Sequence, residues 1–299
     1  LLHIDSMYEF EYLQQLLNEK KINEAKIGVR INFNILSYKS RFGFNVENGE
    51  LEKIVNAIKS DSRIKLISIH SHFSTREKSL EIFSLRTKKM CEIYKNLKHQ
   101  HNIQYIDIGG GFFGEMPLEL AKKFNVSIPS FRQYSRTIVE AFLEELAGFE
   151  LPTLIVEPGI SIVGNTMTYV TKVLEIKKAN NISYAVCDSS INIVNPTKSL
   201  VSPMYKVVSQ EENSCKAEKY TIVGNTCMEH DVLIQKHEGE LKVGDFIIFE
   251  NRGGYSNVYT PNFIMPSPPI IDTNGVFYKR RDDVESILEV YNYKNKRKK

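Results

Sequence analysis

Five short apolar runs recur through the first 160 residues, and stretches with apolar residues at helical spacing lie between them. The runs are LLHID (1–5), KIGVRINF (26–33), IKLISIHSHF (64–73), IQYIDIGGG (103–111) and TLIVEPG (153–159). After the first comes MYEFEYLQQLLNEKK, with Met7, Phe10, Leu13 and Leu17 on one helical face. LEKIVNAIKS follows the second, a long helical pattern from Ser79 to His99 follows the third, and FRQYSRTIVEAFLEELAGF follows the fourth. Strands that are apolar on both faces and alternate with helices indicate parallel β/α units, because the crossover helices cover both sides of the sheet. An open five-stranded sheet satisfies the pattern. A closed (β/α)8 barrel needs three more strands before Leu1. The chain begins inside a strand and is expected to enter a barrel partway, with about a hundred residues missing at ~30 residues per unit.

After Met167 the rhythm changes. MTYVTKVLEIKK, NISYAVCDSS, KYTIVGNTC, HDVLIQKHEGEL and DFIIFEN are rich in β-branched residues and are joined by turn residues instead of helices. The expected architecture is α/β: a partial (β/α)8 (TIM) barrel over residues 1–165, followed by a C-terminal antiparallel β domain over 166–299. The 42% hydrophobic and 25% charged residues suit a globular chain. No run approaches the ~18 apolar residues of a membrane span, and no signal-peptide pattern is visible. Cys91, Cys187, Cys215 and Cys227 have neither zinc spacing nor disulfide density. A cytoplasmic protein without membrane contact or metal is expected. The net charge of +3 owes much to the terminal YKNKRKK, a solvated tail and not a nucleic-acid surface.

IDIGGGFFG (106–114) places three glycines where the fourth apolar run ends. Without Cβ atoms, backbone N–H groups can come close to a phosphate. In barrels the loops after the last two strands often build such a site, and here those loops are GGGFFG and EPG. A tight turn without a ligand is the alternative. His70 and His72 close the third run; one is expected to face the barrel interior and the other to pack outward, so that they form no metal pair. Glu157 ends the fifth run, where a carboxylate is costly to bury without a partner. It is either salt-bridged to a neighbouring strand, or a base, or an anion paired with a cationic ring.

In this order, the strings resemble the pyridoxal-phosphate-dependent decarboxylases of the alanine-racemase-like fold, the group of ornithine, arginine and diaminopimelate decarboxylases. SRFGF (40–44) resembles their Lys-Phe-Gly segment, IHSHFST (69–75) their His-x-Gly-Ser strand end, IDIGGGF their Asp-Ile-Gly-Gly-Gly-Phe, and EPG their Glu-Pro-Gly-Arg. VCDSSINIVNP is similar to the Asp-centred loop of the family, VGNTCMEHDVL (223–233) to Gly-Pro-x-Cys-(Asp/Glu)-x-x-Asp, and VGDFIIFENRGGY (243–255) to Val-Gly-Asp…Gly-Ala-Tyr. The resemblance implies a pyridoxal 5'-phosphate enzyme that decarboxylates an amino acid as its small-molecule substrate. Gly109, Gly110, Gly111, Thr75 and Tyr255 would hold the cofactor phosphate, and His72 would stack on its ring. Glu157 would pair with the protonated ring nitrogen, which makes the ring an electron sink. Cys227 would reach the active site of a partner subunit as a proton donor, which implies a homodimer with shared sites. Asp188, and with it Glu229, would face the distal end of the substrate.

The departures from the family pattern also bear on function. Ile160 stands where the arginine of Glu-Pro-Gly-Arg belongs, Ser74 replaces a glycine, and Met228 replaces the acid that follows the cysteine. Asn195 takes the place of an arginine that diaminopimelate decarboxylases use for a distal carboxylate. Together these favour a basic or amine-bearing amino acid over diaminopimelate. The Schiff-base lysine of the family, in a Tyr-Ala-x-Lys segment on the first barrel strand, has no counterpart here. Two alternatives stand beside the decarboxylase: a non-catalytic homologue that binds or regulates a related enzyme, and an amino-acid racemase on the same fold, which the Cys227 motif disfavours.

Overall fold

A computed structural model describes residues 1–35, 40–73, 78–124, 126–199, 201–209 and 217–291. The described chain divides into two compact units, Leu1–Glu115 with Ser127–Ile162, and Met116–Val126 with the residues from Val163 onward. In chain order the first half contains β1 (His3–Ile4), α1 (Met7–Asn18), β2 (Ala25–Asn32), β3 (Phe44–Asn45), α2 (Glu50–Lys59), β4 (Ile64–His70), α3 (Leu80–Leu97), β5 (Tyr105–Asp107), α4 (Leu118–Lys123), α5 (Phe131–Glu145), β6 (Thr153–Ile155) and α6 (Ile160–Val163). Of these, α4 lies in the second unit.

The strands of the first unit pair in parallel in the order β1-β2-β4-β5-β6, with β3 beside β2 off this path. Sequence-ordered parallel pairing with helical crossovers is the arrangement of consecutive β/α units. In β4 six of the seven residues are buried, so the strand is covered on both faces. Among the helices, α3 starts at Ser79, whose side chain accepts the Ile82 N–H, and α5 starts at a capping box of Ser130 and Gln133. The helix layer closes on an aromatic cluster in which Phe83 stacks on Phe112 at 4.4 Å and Tyr134 meets both edge-on at 5.0 and 5.2 Å. A polar patch lies under the strand ends. Any Cβ on Gly28 would come within 2.2 Å of the His3 ring, so the glycine makes room for His3, which bonds Ser68 Oγ at 3.0 Å.

The second unit continues with β7 (Tyr169–Ala179), β8 (Ile182–Cys187), α7 (Ile191–Val194), β9 (Tyr205–Val208), β10 (Glu218–Val223), β11 (Val232–Gly239), β12 (Phe246–Phe249) and α8 (Ser256–Tyr259). Its main sheet runs β11-β10-β8-β7-β12-β9 around a core that includes Val173, Ala185, Cys187, Ile222, Ile247 and Phe249. The pairing is antiparallel as expected, except that β10 lies parallel to β8. Those two strands are separated in sequence by α7 and β9, and a returning crossover of that length permits parallel pairing where a hairpin does not. Among the described residues no helix is long and apolar enough to cross a membrane. The basic tail lies outside the described residues.

Candidate active site

The site begins where β4, β5 and β6 end. Register sets His70 opposite Asp107 and Asp107 opposite Ile155, and the chain then places Glu157 two residues further on. The Glu157 N–H bonds Gly109 O at 3.0 Å, tying the acid to the glycine loop. Ligating atoms of His70, Asp107 and Glu157 lie within 4.8 Å of one another, and His70 Nε2 is 3.6 Å from Glu157 Oε2. His70 is 7% exposed and Asp107 3%, while the Glu157 side chain is 50% exposed. Burial holds the His70 pKa down to about 3, helped by His3 and Arg30, so the ring is neutral. Glu157 is shifted upward, first by burial and then by the Asp107 carboxylate beside it.

The two-residue spacing of His70 and His72 gives no ground for the expected divergence. Strand side chains alternate faces, so residues two apart return to the same side. Both imidazoles share one charged neighbourhood: His72 acts on His70, and Arg30 and Arg86 act on both. His72 lies just past β4 and accepts the Gly110 N–H on Nδ1 at 3.0 Å. With Nδ1 so used and the pKa lowered by burial, His72 is a neutral ring protonated on Nε2.

Gly109 and Gly111 have φ of +69° and +97°, the left-handed region that favours glycine. Gly110 has another reason to be bare: a Cβ there would lie 2.0 Å from Glu157 O. The Gly109 N–H donates to Asp107 Oδ1 at 2.8 Å and the Gly110 N–H to His72, while the N–H of Gly111 has no partner among the described residues. Behind the loop sits Arg86 of α3, 1% exposed, donating to Ile108 O and Gly110 O at 3.0 Å each. Burial lowers its pKa to about 10, so it keeps its charge at neutral pH and makes the loop electropositive. Arg30 of β2 donates to His72 O at 3.3 Å, lies 3.7 Å from Asp5 and stacks over Phe42. That stacking gives SRFGF its place, since a Cβ on Gly43 (φ +81°) would meet Arg30 O at 2.9 Å.

The remaining expected residues lie in the second unit. Cys227 and Glu229 are exposed on the loop between β10 and β11. Asp231, 2% exposed, joins that loop to the Asp188 loop: it accepts from Ile191 N at 2.6 Å, Thr226 N at 3.1 Å and Thr226 Oγ1 at 2.5 Å. Asn225 N adds a bond to Ser189 O at 2.9 Å. Asp188 Oδ1 accepts from Thr171 Oγ1 at 2.6 Å and Lys172 N at 2.7 Å, so part of its carboxylate is engaged in holding β7. Asn195 spends both ends of its amide on Ser199, at 2.8 and 2.9 Å. Tyr255 has φ +64°, is 48% exposed and stacks on Tyr259. Thr75 lies outside the described residues.

Four residues of this arrangement were not singled out from the sequence: Arg30, Arg86, Asp107 and Asp231. Asp107 carried a signal, being a carboxylate at the end of an apolar strand two residues before Gly109. Arg86 carried another, because it falls on the buried stripe of α3 with Ile82, Phe83 and Met90.

Residues 1–164 match the family model described as "Pyridoxal-dependent decarboxylase, pyridoxal binding domain". The diaminopimelate decarboxylase of Methanocaldococcus jannaschii is 25% identical over 296 residues, covering 91% of this chain and 65% of that relative. The crystal structure of diaminopimelate decarboxylase from Helicobacter pylori complexed with L-lysine superposes with a TM-score of 0.80 at 23% identity, covering 98% of this chain and 73% of that one. The Paramecium bursaria Chlorella virus arginine decarboxylase bound to agmatine gives a TM-score of 0.70 at 20% identity, covering 87% and 68%. These neighbours establish the fold: barrel-type α/β followed by a β domain. The chain spans 62–65% of the length of the diaminopimelate decarboxylases from M. jannaschii, Staphylococcus aureus and H. pylori.

Proposed function

We propose, from the premise that this chain belongs to the pyridoxal-dependent decarboxylases through its pyridoxal-binding domain, that it takes part in decarboxylation of a basic or amine-bearing amino acid. The family's cofactor is pyridoxal 5'-phosphate. The observation that carries the reading is Glu157, a half-exposed carboxylate backed by Asp107 and His70 and bonded through its backbone to the glycine loop. The residues present fit the cofactor: an anion for the ring nitrogen, a neutral imidazole for the ring face, and a bare N–H at Gly111 with the Arg86 charge behind it for the phosphate.

Bound pyridoxal phosphate supplies an electron sink for the bond pair left when the substrate carboxylate departs as CO2. Glu157 holds a proton at the ring nitrogen. Its upward shift means that it ionises less readily when no cation faces it, so bringing a cation to it favours the carboxylate. His72, fixed through Gly110 N–H, offers its ring without adding positive charge. Cys227 is the proposed proton donor toward a second copy of the chain in a homodimer.

The substrate class follows from charge. The resemblance sets the carboxylates Asp188 and Glu229 toward the distal end of the substrate, and Asn195, with both amide ends engaged by Ser199, offers no cation to a distal carboxylate. A buried site that leaves a charge unpaired loses discrimination by a few kcal/mol. The test is competition among ornithine, lysine, arginine and meso-diaminopimelate at equal concentration, in the native protein that carries this chain. A basic amino acid should be consumed first. If diaminopimelate leads, the charge argument is wrong. Cofactor binding without CO2 release from any of them would instead favour the non-catalytic homologue.

A further inference from the structure

We infer that the cofactor-free chain binds a divalent transition-metal ion, best matched by zinc(II), between His70 Nε2, an oxygen of Asp107 and Glu157 Oε2. Spacing is the first reason. The 3.6 Å between His70 Nε2 and Glu157 Oε2 is too long for a hydrogen bond. Two donors on one tetrahedral zinc, each about 2.0–2.2 Å from the metal, lie roughly 3.3–3.5 Å apart. Asp107 completes the group within the 4.8 Å span and has one oxygen fixed by Gly109 N–H at 2.8 Å, an outer tie that orients its other oxygen.

His70 is the second, independent reason. It is 7% exposed, and among the described residues neither of its ring nitrogens has a hydrogen-bond partner. Buried imidazoles rarely stay unpaired, and this one sets Nε2 3.6 Å from the Glu157 carboxylate. The nitrogen donor argues against magnesium or calcium, which prefer all-oxygen shells. His3, 4.8 Å away ring to ring, is committed to Ser68 through Nε2, so three protein ligands leave a fourth position for water. The half-exposed Glu157 provides the entry. The charges of Arg30 and Arg86 oppose a dication and keep the affinity moderate.

The metal and the pyridinium proton would meet the same carboxylate, so zinc and pyridoxal phosphate should exclude each other. That competition rests on the function proposed above, whereas the metal site itself does not. The test is calorimetric titration of the metal-free, cofactor-free chain with ZnCl2, repeated with CoCl2 to read the ligand field from visible absorption. One zinc per chain is expected, with affinity reduced at least roughly tenfold in His70→Asn, because even outer-shell partners contribute that much. Glu157→Gln, at a half-exposed position that tolerates the change, guards against a misfolded His70 variant and should weaken binding as well. Zinc bound equally by wild type and both variants, or no zinc bound, overturns the inference. Zinc binding by this chain, with no pyridoxal phosphate bound by the native protein, would retain the metal site and sink the proposed function. The reverse result would sink the metal site alone.

Discussion

At the scale of single residues, His70 gives a pH signature. Its ordinary value of 6.5 falls to about 3 in the folded chain. Between those limits the unfolded chain takes up a proton that the folded one refuses, so unfolding becomes easier as pH drops through this window. The full shift corresponds to something on the order of 5 kcal/mol. Glu157 acts in the opposite sense: its raised pKa adds stability at low pH that is lost as pH rises through it. Denaturant melts between pH 7 and 3 should show a falling stability that His70→Asn flattens; equal slopes in both proteins would place the acid sensitivity at other groups. The glycines, Glu157 and both histidines were legible in the sequence, but what the glycines do was only half legible. Gly110 is bare first because Glu157 O presses against it, so an added Cβ displaces the acid before it can touch a ligand. That contact joins residues 47 positions apart (157 − 110) in the loops that follow two adjacent strands, and no local pattern reports it.

At the scale of elements, the alternation of strands and helices in the first half was legible because periodicity is local. The parallel pairing of β10 with β8 was not, because turn residues read the same whichever strand the chain returns to. The link between the Cys227 and Asp188 loops was hidden for a similar reason: it depends on Asp231, the last residue of a motif quoted for its cysteine. Asp231→Ala would strip the partners from the Ile191 and Thr226 N–H groups and from the Thr226 hydroxyl. Unpaired buried donors cost ~1–3 kcal/mol each, so a loss of about 3 kcal/mol is expected. Denaturant melts would measure it, with hydrogen exchange on β10 and β11 to locate the loosening. A loss below about 0.5 kcal/mol would mean that the loops are held together by other contacts.

At the scale of the molecule, rhythm divides the sequence near residue 165, while contacts place Met116–Val126 with the second unit. Lys123 of α4 donates to Ser202 O and Pro203 O at 3.2 Å each, and Leu120 is 4% exposed. Leu120→Ala should therefore cost about 2–5 kcal/mol and loosen the β domain. Hydrogen exchange mapped by peptide would show protection lost from residues 163–291. Protection lost instead on α3 and β5 would assign the helix to the other unit. The order of synthesis gives this inset helix a further consequence. A ribosome finishes Lys123 46 residues before it reaches Tyr169 (169 − 123), the first residue of the main sheet of the unit that holds α4. At ~5–20 residues per second, α4 waits several seconds for the rest of its unit while the last strand of the first unit is being made. Nascent-chain crosslinking at Leu120 is where a chaperone following this protein off the ribosome should be sought.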